Sequence, residues 1–269
     1  MKKVCTLYFS ATGTTQKTVT AIAAVIAEKL QTSVDQFDFT LPMQRLEAVA
    51  FSENDIVICG TPTYAGRVPN VLLKFLDTVK GNGALAIPVV LYGNRNYDDS
   101  LIELRDILEK DGFRTIAAAA FIGEHSFSYT LAAGRPDQKD IDIAADFGLR
   151  IADKIMKNDF TSPVKVNGCE PLRPYYTPRD RQGNPVNILK VKPVTSDKCD
   201  NCGLCAMVCP MGSINPENVR DYTGICIKCG ACVKKCPKGA KYYDDPKYLY
   251  HKEELELGYS RRAEPEIFI

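Results

Sequence analysis

The sequence lacks the features that would place the protein in a membrane or outside the cell. No stretch approaches the ~18 consecutive apolar residues of a membrane-spanning helix. Two lysines precede a short apolar run, Val4–Phe9, but no longer apolar segment or small-residue cleavage site follows. We therefore expect a cytoplasmic protein. The formal net charge is only +1, so overall charge gives no indication of nucleic-acid binding.

Nucleotide-binding motifs are also missing. No G-K-[ST] follows a glycine-rich loop, which excludes a P-loop, and no G-x-G-x-x-G indicates a nicotinamide site. Cysteine, in contrast, is abundant, with 11 among 269 residues. Without an export signal, so many cysteines argue against a disulfide scaffold and favour metal ligation.

Residues 1–160 alternate between short apolar runs and amphipathic stretches. The predicted strands are Val4–Phe9, Ser33–Phe39, Asp55–Cys59, Ile87–Tyr92 and Ile116–Ile122. The predicted helices are Thr15–Leu30, Val71–Val79, Leu101–Lys110 and Ile141–Met156. This alternation predicts an α/β fold with a doubly wound, five-stranded parallel sheet. Ligands of such sheets bind beyond the carboxyl ends of the strands.

The composition changes after residue 160. Residues 161–190 are rich in Pro, Gly and Arg without apolar periodicity, which predicts an extended linker. A cysteine-rich domain occupies residues 191–243. The tail, 244–269, shows no pattern that we can assign.

The cysteine-rich domain contains an internal repeat. Residues 199–210 and 226–237 both read C-x2-C-x2-C-x3-C-P, the run that binds [4Fe–4S] clusters in bacterial proteins. The fourth cysteine of each run ligates the other cluster. One cluster is therefore expected on Cys199, Cys202, Cys205 and Cys236, and the second on Cys226, Cys229, Cys232 and Cys209.

These segments resemble the two-[4Fe–4S] bacterial-type ferredoxins, which implies a small α+β ferredoxin-like domain. The alternative is structural zinc, which also takes four cysteine ligands, but two complete copies with trailing prolines disfavour it. We expect the other three cysteines to be structural. Cys5 and Cys59 lie in apolar strand runs, and Cys169 is alone in the linker.

The cluster region is basic, with nine Lys and Arg against four Asp and Glu over residues 190–241. These charges would raise cluster potentials, dock an acidic surface of a redox partner, or simply form a solvated face. The lysines concerned are Lys198, Lys228, Lys234, Lys235 and Lys238.

The first predicted strand runs into Ser10-Ala-Thr-Gly-Thr-Thr15 and then a helix. Backbone N–H groups at a helix N-terminus and nearby hydroxyls form an anion site; the alternative is a helix cap without a ligand. Here the sequence resembles flavodoxin, whose loop of this form holds the FMN phosphate. The resemblance implies phosphate contacts from Ser10, Thr12, Gly13, Thr14 and Thr15.

Two further loops, residues 60–69 and 93–99, fit the same resemblance, because in flavodoxins they clasp the isoalloxazine ring. It implies ring contacts from Thr61, Pro62, Thr63, Tyr64, Gly66, Asn94 and Tyr97. The sequence has no Trp, so stacking would fall to Tyr64 or Tyr97. The loops also carry cations, at Arg67 and Arg95.

Three functions are compatible with these features. We favour a flavodoxin–ferredoxin fusion that transfers electrons between two [4Fe–4S] clusters, FMN and redox partners, as expected in an anaerobic cytoplasm. The second is an FMN-dependent reductase of a small substrate that is fed by the clusters, with Tyr64, Arg67, Arg95 or His125 as substrate-binding candidates, so whether the protein is an enzyme stays open. The third is a ferredoxin with a flavin-free docking domain. The long linker also allows a head-to-tail homodimer in which clusters reach the partner's FMN.

Overall fold

The computed structural model describes residues 2–269, and its centre is a parallel β-sheet. The five main strands lie in the order β2-β1-β3-β4-β6. Their bounds are β1 Lys3–Tyr8, β2 Val34–Asp38, β3 Asp55–Pro62, β4 Leu85–Tyr92 and β6 Ala118–Ile122, with a two-residue β5, Arg114–Thr115, beside β4. The doubly wound, mostly parallel α/β sheet predicted from the sequence is therefore confirmed, but the described residues form a seven-stranded sheet, because β5 and an antiparallel strand from the C-terminus join the five predicted strands.

Helices cover both faces of this sheet. One face packs against α1, Thr14–Leu30, and α4, Gln138–Lys157. The opposite face packs against α2, Asn70–Leu76, and α3, Ser100–Lys110. Alternating strand residues supply the two cores, because successive side chains of a strand point to opposite faces. Thus Val4 belongs to the first core and Cys5 to the second.

The two strand cysteines are buried, as expected. Cys5 is 2% exposed and Cys59 is fully buried in the same apolar core. Burial raises the pKa of the Cys5 thiol to about 11 and that of Cys59 to about 12. Both side chains therefore remain neutral thiols near pH 7 and pack as small apolar groups.

The predicted fifth strand, Ile116–Ile122, corresponds to β6, which begins two residues later at Ala118, and the short β5 immediately precedes the predicted range. The outer side of β5 is taken by the segment after α4, because the Val164 N–H donates to the Thr115 carbonyl (3.0 Å). The outer side of β6 pairs with a strand from the C-terminus. The backbone hydrogen-bonding groups at this edge of the sheet are thus paired by two later segments of the chain, one after α4 and one at the C-terminus.

The cysteine-rich domain is small and pseudo-symmetric. Two short helices, α5 Leu204–Met207 and α6 Ala231–Lys234, follow the two cysteine triplets. A two-stranded antiparallel sheet, β7 Val194–Thr195 with β8 Lys241–Tyr242, joins its ends.

The C-terminal tail, which the sequence left unassigned, returns to the first domain. Helix α7, Pro246–Gly258, leads to β9, Glu266–Phe268, which pairs antiparallel with β6. The Arg135 guanidinium donates to the Ala263 carbonyl (2.6 Å) and fixes the approach of the tail. The chain therefore forms two domains tied together at the sheet edge. Within residues 2–269, no helix has the length and apolar character to cross a membrane.

Candidate functional site: a groove against two cysteine-lined cavities

A cavity lies beyond the carboxyl ends of β1, β3, β4 and β6, where the fold class places ligands. At its first end it is lined by Thr12, Thr14 and Thr15, together with Pro62 and Thr63. Gly13 has φ +94°, and a Cβ there would meet no other heavy atom within 4 Å. The left-handed backbone at Gly13 turns the chain directly into α1.

The N-terminus of α1 fits an anion. Ser10 accepts a hydrogen bond from the Gln16 N–H (3.0 Å) and so caps the helix from inside the loop. Within residues 2–269, the N–H groups of Thr14 and Thr15 have no acceptor. Unpaired N–H groups, the helix dipole and three threonine hydroxyls together provide the donors that a phosphate requires.

A second cavity, of about 220 Å³, continues from the first. The two share Thr63, Tyr64, Tyr92, Gly93, His125 and Ser126. Gly66 and Arg95 also line the larger one. Thr12, Thr14 and Thr15 and the loop 62–66 therefore open into one continuous groove that runs from the α1 N-terminus along the sheet edge, whereas Ser10 and Gly13 do not line it.

Three predicted ring residues lie elsewhere. Thr61 is fully buried under the sheet edge, and its hydroxyl has no partner within residues 2–269. The Asn94 amide donates to the carbonyls of Tyr259 and Arg261 (both 2.6 Å). The Tyr97 hydroxyl donates to Glu266 (2.6 Å). Asn94 and Tyr97 thus hold the returning tail, which the resemblance to isolated flavodoxins did not include.

The two arginines of the ring loops are already neutralised. Arg67 donates to both oxygens of Glu103 (2.8 and 2.7 Å) and points away from the groove. Arg95 pairs with Asp98 and stacks over the Tyr176 ring, 4.2 Å from its centroid. Of these two arginines, only Arg95 lines the groove, and its charge is paired with that of Asp98.

Residues far apart in the sequence cover the larger cavity. They come from the linker (Tyr176, Pro178, Ile188, Leu189), the second cysteine loop (Ile227, Lys228) and α7 (His251, Leu255). Sequence reasoning missed them because no local pattern relates these segments to a groove in the first domain. The linker follows this course because Asp99, fully buried, binds the backbone N–H groups of Cys169 and Arg173 (3.0 and 2.7 Å).

Both histidines of the chain face this groove. Burial lowers the pKa of His125 to about 3 and that of His251 to about 4. The Phe127 N–H donates to Nδ1 of His125 (3.1 Å), which fixes the ring. The imidazoles are therefore uncharged near pH 7 and serve as groove walls rather than as proton donors.

The eight repeat cysteines line two separate cavities. Cys199, Cys202, Cys205 and Cys236 line one of them. Cys209, Cys226, Cys229 and Cys232 line the other. These are the two sets that the crossed ligation pattern predicts. Among residues 2–269, no three Cys, His, Asp or Glu side chains are arranged to hold a single metal ion.

The same backbone contacts recur at both sets. Cys199 accepts from the Asn201 N–H and Cys226 from the Lys228 N–H (both 3.4 Å). Cys209 accepts from Ser213 (3.4 Å) and Cys236 from Ala240 (3.2 Å). N–H groups aimed at sulfur stabilise anionic thiolates, so each set has two matched donors.

The two domains meet at the second cysteine loop. Cys229 lines the groove beside Tyr64, and burial together with the Cys229 and Cys226 thiols raises the pKa of Tyr64. A Cβ at Gly230 would lie 2.6 Å from the Ser126 carbonyl oxygen, so only glycine allows this approach. The Lys234 ammonium binds Glu124 and the Ser128 carbonyl across the same interface.

Comparisons with known proteins agree with this architecture. Residues 5–95 match the model of a flavodoxin domain, and residues 198–245 match that of a 4Fe-4S dicluster domain. The chain thus joins a flavodoxin domain to a ferredoxin domain, as in a flavodoxin–ferredoxin fusion. These domain types indicate an electron-transfer role, with FMN on the first and iron–sulfur clusters on the second.

Solved structures with a similar fold include three flavodoxins. A flavodoxin from the domain Archaea is 18% identical (TM-score 0.41) over 57% of this chain and 99% of its own. The Fusobacterium nucleatum flavodoxin bound to flavin mononucleotide is 20% identical (TM-score 0.40) over 59% and 99%. Megasphaera elsdenii flavodoxin is 19% identical (TM-score 0.38) over 53% and 97%. No curated protein matches the chain.

Proposed function

We propose that this chain passes electrons between two [4Fe–4S] clusters and FMN, and on to redox partner proteins. The observation that carries the proposal is the position of the second cysteine loop. Cys229 lines the threonine end of the groove, while Ile227 and Lys228 line the larger cavity. The loop of residues 226–230 thus belongs both to a cysteine set and to the wall of the flavin groove.

The residues present fit the two cofactors. Thr12, Thr14, Thr15 and the free N–H groups of α1 would hold the FMN phosphate, and Thr63, Tyr64 and Gly66 would contact the ring. The two cysteine sets would each hold one cluster. When bound, the clusters exchange single electrons and FMN exchanges one or two.

The two cysteine sets differ in burial. This difference supports an order for electron transfer between a redox partner and the groove. The set beside the groove, here called the proximal set (Cys209, Cys226, Cys229, Cys232), includes two buried cysteines, Cys229 and Cys232. The distal set (Cys199, Cys202, Cys205, Cys236) includes the exposed Cys202. A redox partner would therefore meet the distal set, and the proximal set would connect it to the groove.

The charged residues near the distal set support an acidic partner. Lys198 and Lys235 are exposed, while Lys238 is 3.5 Å from Asp200. Lys228 and Lys234, in contrast, are used inside the chain. A basic docking face, one of the alternatives that the sequence left open, would therefore be smaller than the lysine count suggested and centred on Lys198 and Lys235.

The other readings receive less support. The unpaired N–H groups at Thr14 and Thr15 favour a bound anion over a flavin-free docking domain. Coverage of the groove by the linker and α7 leaves less room for the small substrate of a reductase. The second cysteine loop contacts the groove of its own chain, which favours transfer within one chain over a head-to-tail homodimer. The cytoplasm stays our proposed location.

Cofactor stoichiometry tests the proposal. Iron, acid-labile sulfide, zinc and extracted flavin would be measured per chain on anaerobically purified protein. About eight irons and one FMN are expected. Eight irons without flavin, even after reconstitution with FMN, would contradict the groove assignment, and zinc in place of iron would contradict the cluster assignment.

A further inference from the structure

Lys241 is a buried cation without an anionic partner. The residue is 3% exposed, and its ammonium donates to the Val219 carbonyl. It also lies over the Tyr222 ring, 5.0 Å from the centroid. Within residues 2–269, no carboxylate forms an ion pair with it, whereas the nearby Arg220 and Lys238 pair with Asp197 and Asp200.

The position of Lys241 is between the two cysteine sets. It lines the distal cavity, and Tyr222, over which it lies, lines the proximal one. Pairing of β8 with β7 fixes the backbone at this point.

A buried ammonium with one carbonyl and one aromatic ring as partners is strongly destabilising on its own. A negative charge is therefore required close to the Lys241 ammonium. A [4Fe–4S] cluster with four thiolates carries net negative charge, which increases on reduction. We propose that Lys241 is an internal counter-charge shared by the two clusters, and that it raises the reduction potential of both.

Two other lysines of this region, Lys238 and Lys234, do not serve in the same way. Lys238 has a side chain 53% exposed, next to Asp200, so solvent screens its charge. Lys234 is committed to Glu124 in the domain interface. Lys241 is the lysine placed in a low-dielectric site from which one charge acts on both cysteine sets.

The inference rests on the proposed function, so the wild-type iron content is measured first. Fewer than eight irons would contradict the proposed function itself. With eight irons present, redox titrations of the full-length holoprotein, followed by electron paramagnetic resonance, compare wild type with Lys241→Met and with the exposed control Lys238→Met.

For Lys241→Met we expect the reduced-to-oxidised ratio of both clusters at the wild-type midpoint to fall at least tenfold, a shift of 59 mV for a one-electron couple. Lys238→Met should shift less than half as far. An unchanged potential at either cluster of Lys241→Met would overturn the proposal.

A charge-preserving variant covers the case in which Lys241→Met does not retain eight irons. Lys241→Arg should then keep eight irons and near-wild-type potentials, because the charge and not the side-chain shape is required. Loss of iron from Lys241→Arg as well would overturn the proposal, since the position would then be limited by packing.

Discussion

The ion pair between Lys234 and Glu124 should control how often the two domains separate locally. The Lys234 side chain is 11% exposed and that of Glu124 is 26% exposed. Lys234 also donates to the Ser128 carbonyl (2.6 Å) and lies 4.9 Å from the centroid of the Tyr129 ring. Hydrogen bonds to charged groups contribute about 1.5–3 kcal/mol. Because Glu124 can recover water when the pair is broken, we expect a loss of about 2 kcal/mol for Lys234→Met.

A loss of about 2 kcal/mol increases the opening equilibrium roughly 30-fold. The tail strand and the linker still tie the domains together, so the effect is local and does not appear as dissociation. Amide hydrogen exchange is the suitable assay, because exchange of protected amides follows the opening equilibrium. The amides of residues 124–131 should exchange about 30-fold faster in Lys234→Met. The control is Lys235→Met, at the next position of the chain but exposed.

Exchange of residues 124–131 at the wild-type rate in Lys234→Met would refute this reasoning. So would equal acceleration in Lys235→Met, because that result would implicate general loss of positive charge rather than the specific contact.

Three further predictions follow from the groove, the histidines and the cysteine sets. Thr14→Val should weaken FMN binding about tenfold, since one charge-assisted hydrogen bond is lost; fluorescence titration of apoprotein measures it, with Thr20→Val, whose hydroxyl donates to the Gln16 carbonyl, as the control that should not change. The pKa of His251 is lowered to about 4. As the pH falls below about 6.5, this imidazole is therefore protonated in the unfolded chain but stays neutral in the folded chain. The free energy of unfolding should therefore fall with decreasing pH, by up to about 1.4 kcal/mol per pH unit from this residue; urea unfolding between pH 7 and 5 should show a shallower slope for His251→Phe, and an identical slope would be contrary evidence. Cys202→Ser should alter the spectrum of one cluster and leave the other intact, whereas Cys169→Ser should leave both; loss of both clusters on changing Cys169 would speak against the ligand assignment.

The sequence predicted the parts of the molecule that depend on local spacing. The two cysteine runs fix which thiols can surround one space, and the structure brings together the same two sets of four. The loop after β1 was likewise predictable, because a Thr-Gly-Thr-Thr turn between a strand and a helix has few backbone solutions. Both features can be predicted from the local sequence without information on the rest of the chain.

Other features could not be predicted because they depend on contacts between distant segments. Asn94 and Tyr97 lie in a loop that usually clasps a ring, yet here both bind the tail between Tyr259 and Glu266. No local sequence pattern predicts that the tail returns as a strand beside β6. The ion pair of Lys234 with Glu124 could not be predicted for the same reason, because the two residues are 110 positions apart in the sequence.

Transfer of electrons between proximal set and groove within one chain is the central claim, and a mixing experiment tests it most directly. One variant, Cys229→Ser with Cys232→Ser, would keep FMN but lose the proximal cluster. A second, Thr14→Val with Thr15→Val, freed of flavin, would keep both clusters. We predict that FMN in the mixture is reduced far more slowly than in wild type, and at a rate proportional to protein concentration, whereas the wild-type rate is independent of concentration. Reduction in the mixture at the wild-type rate would contradict transfer within one chain.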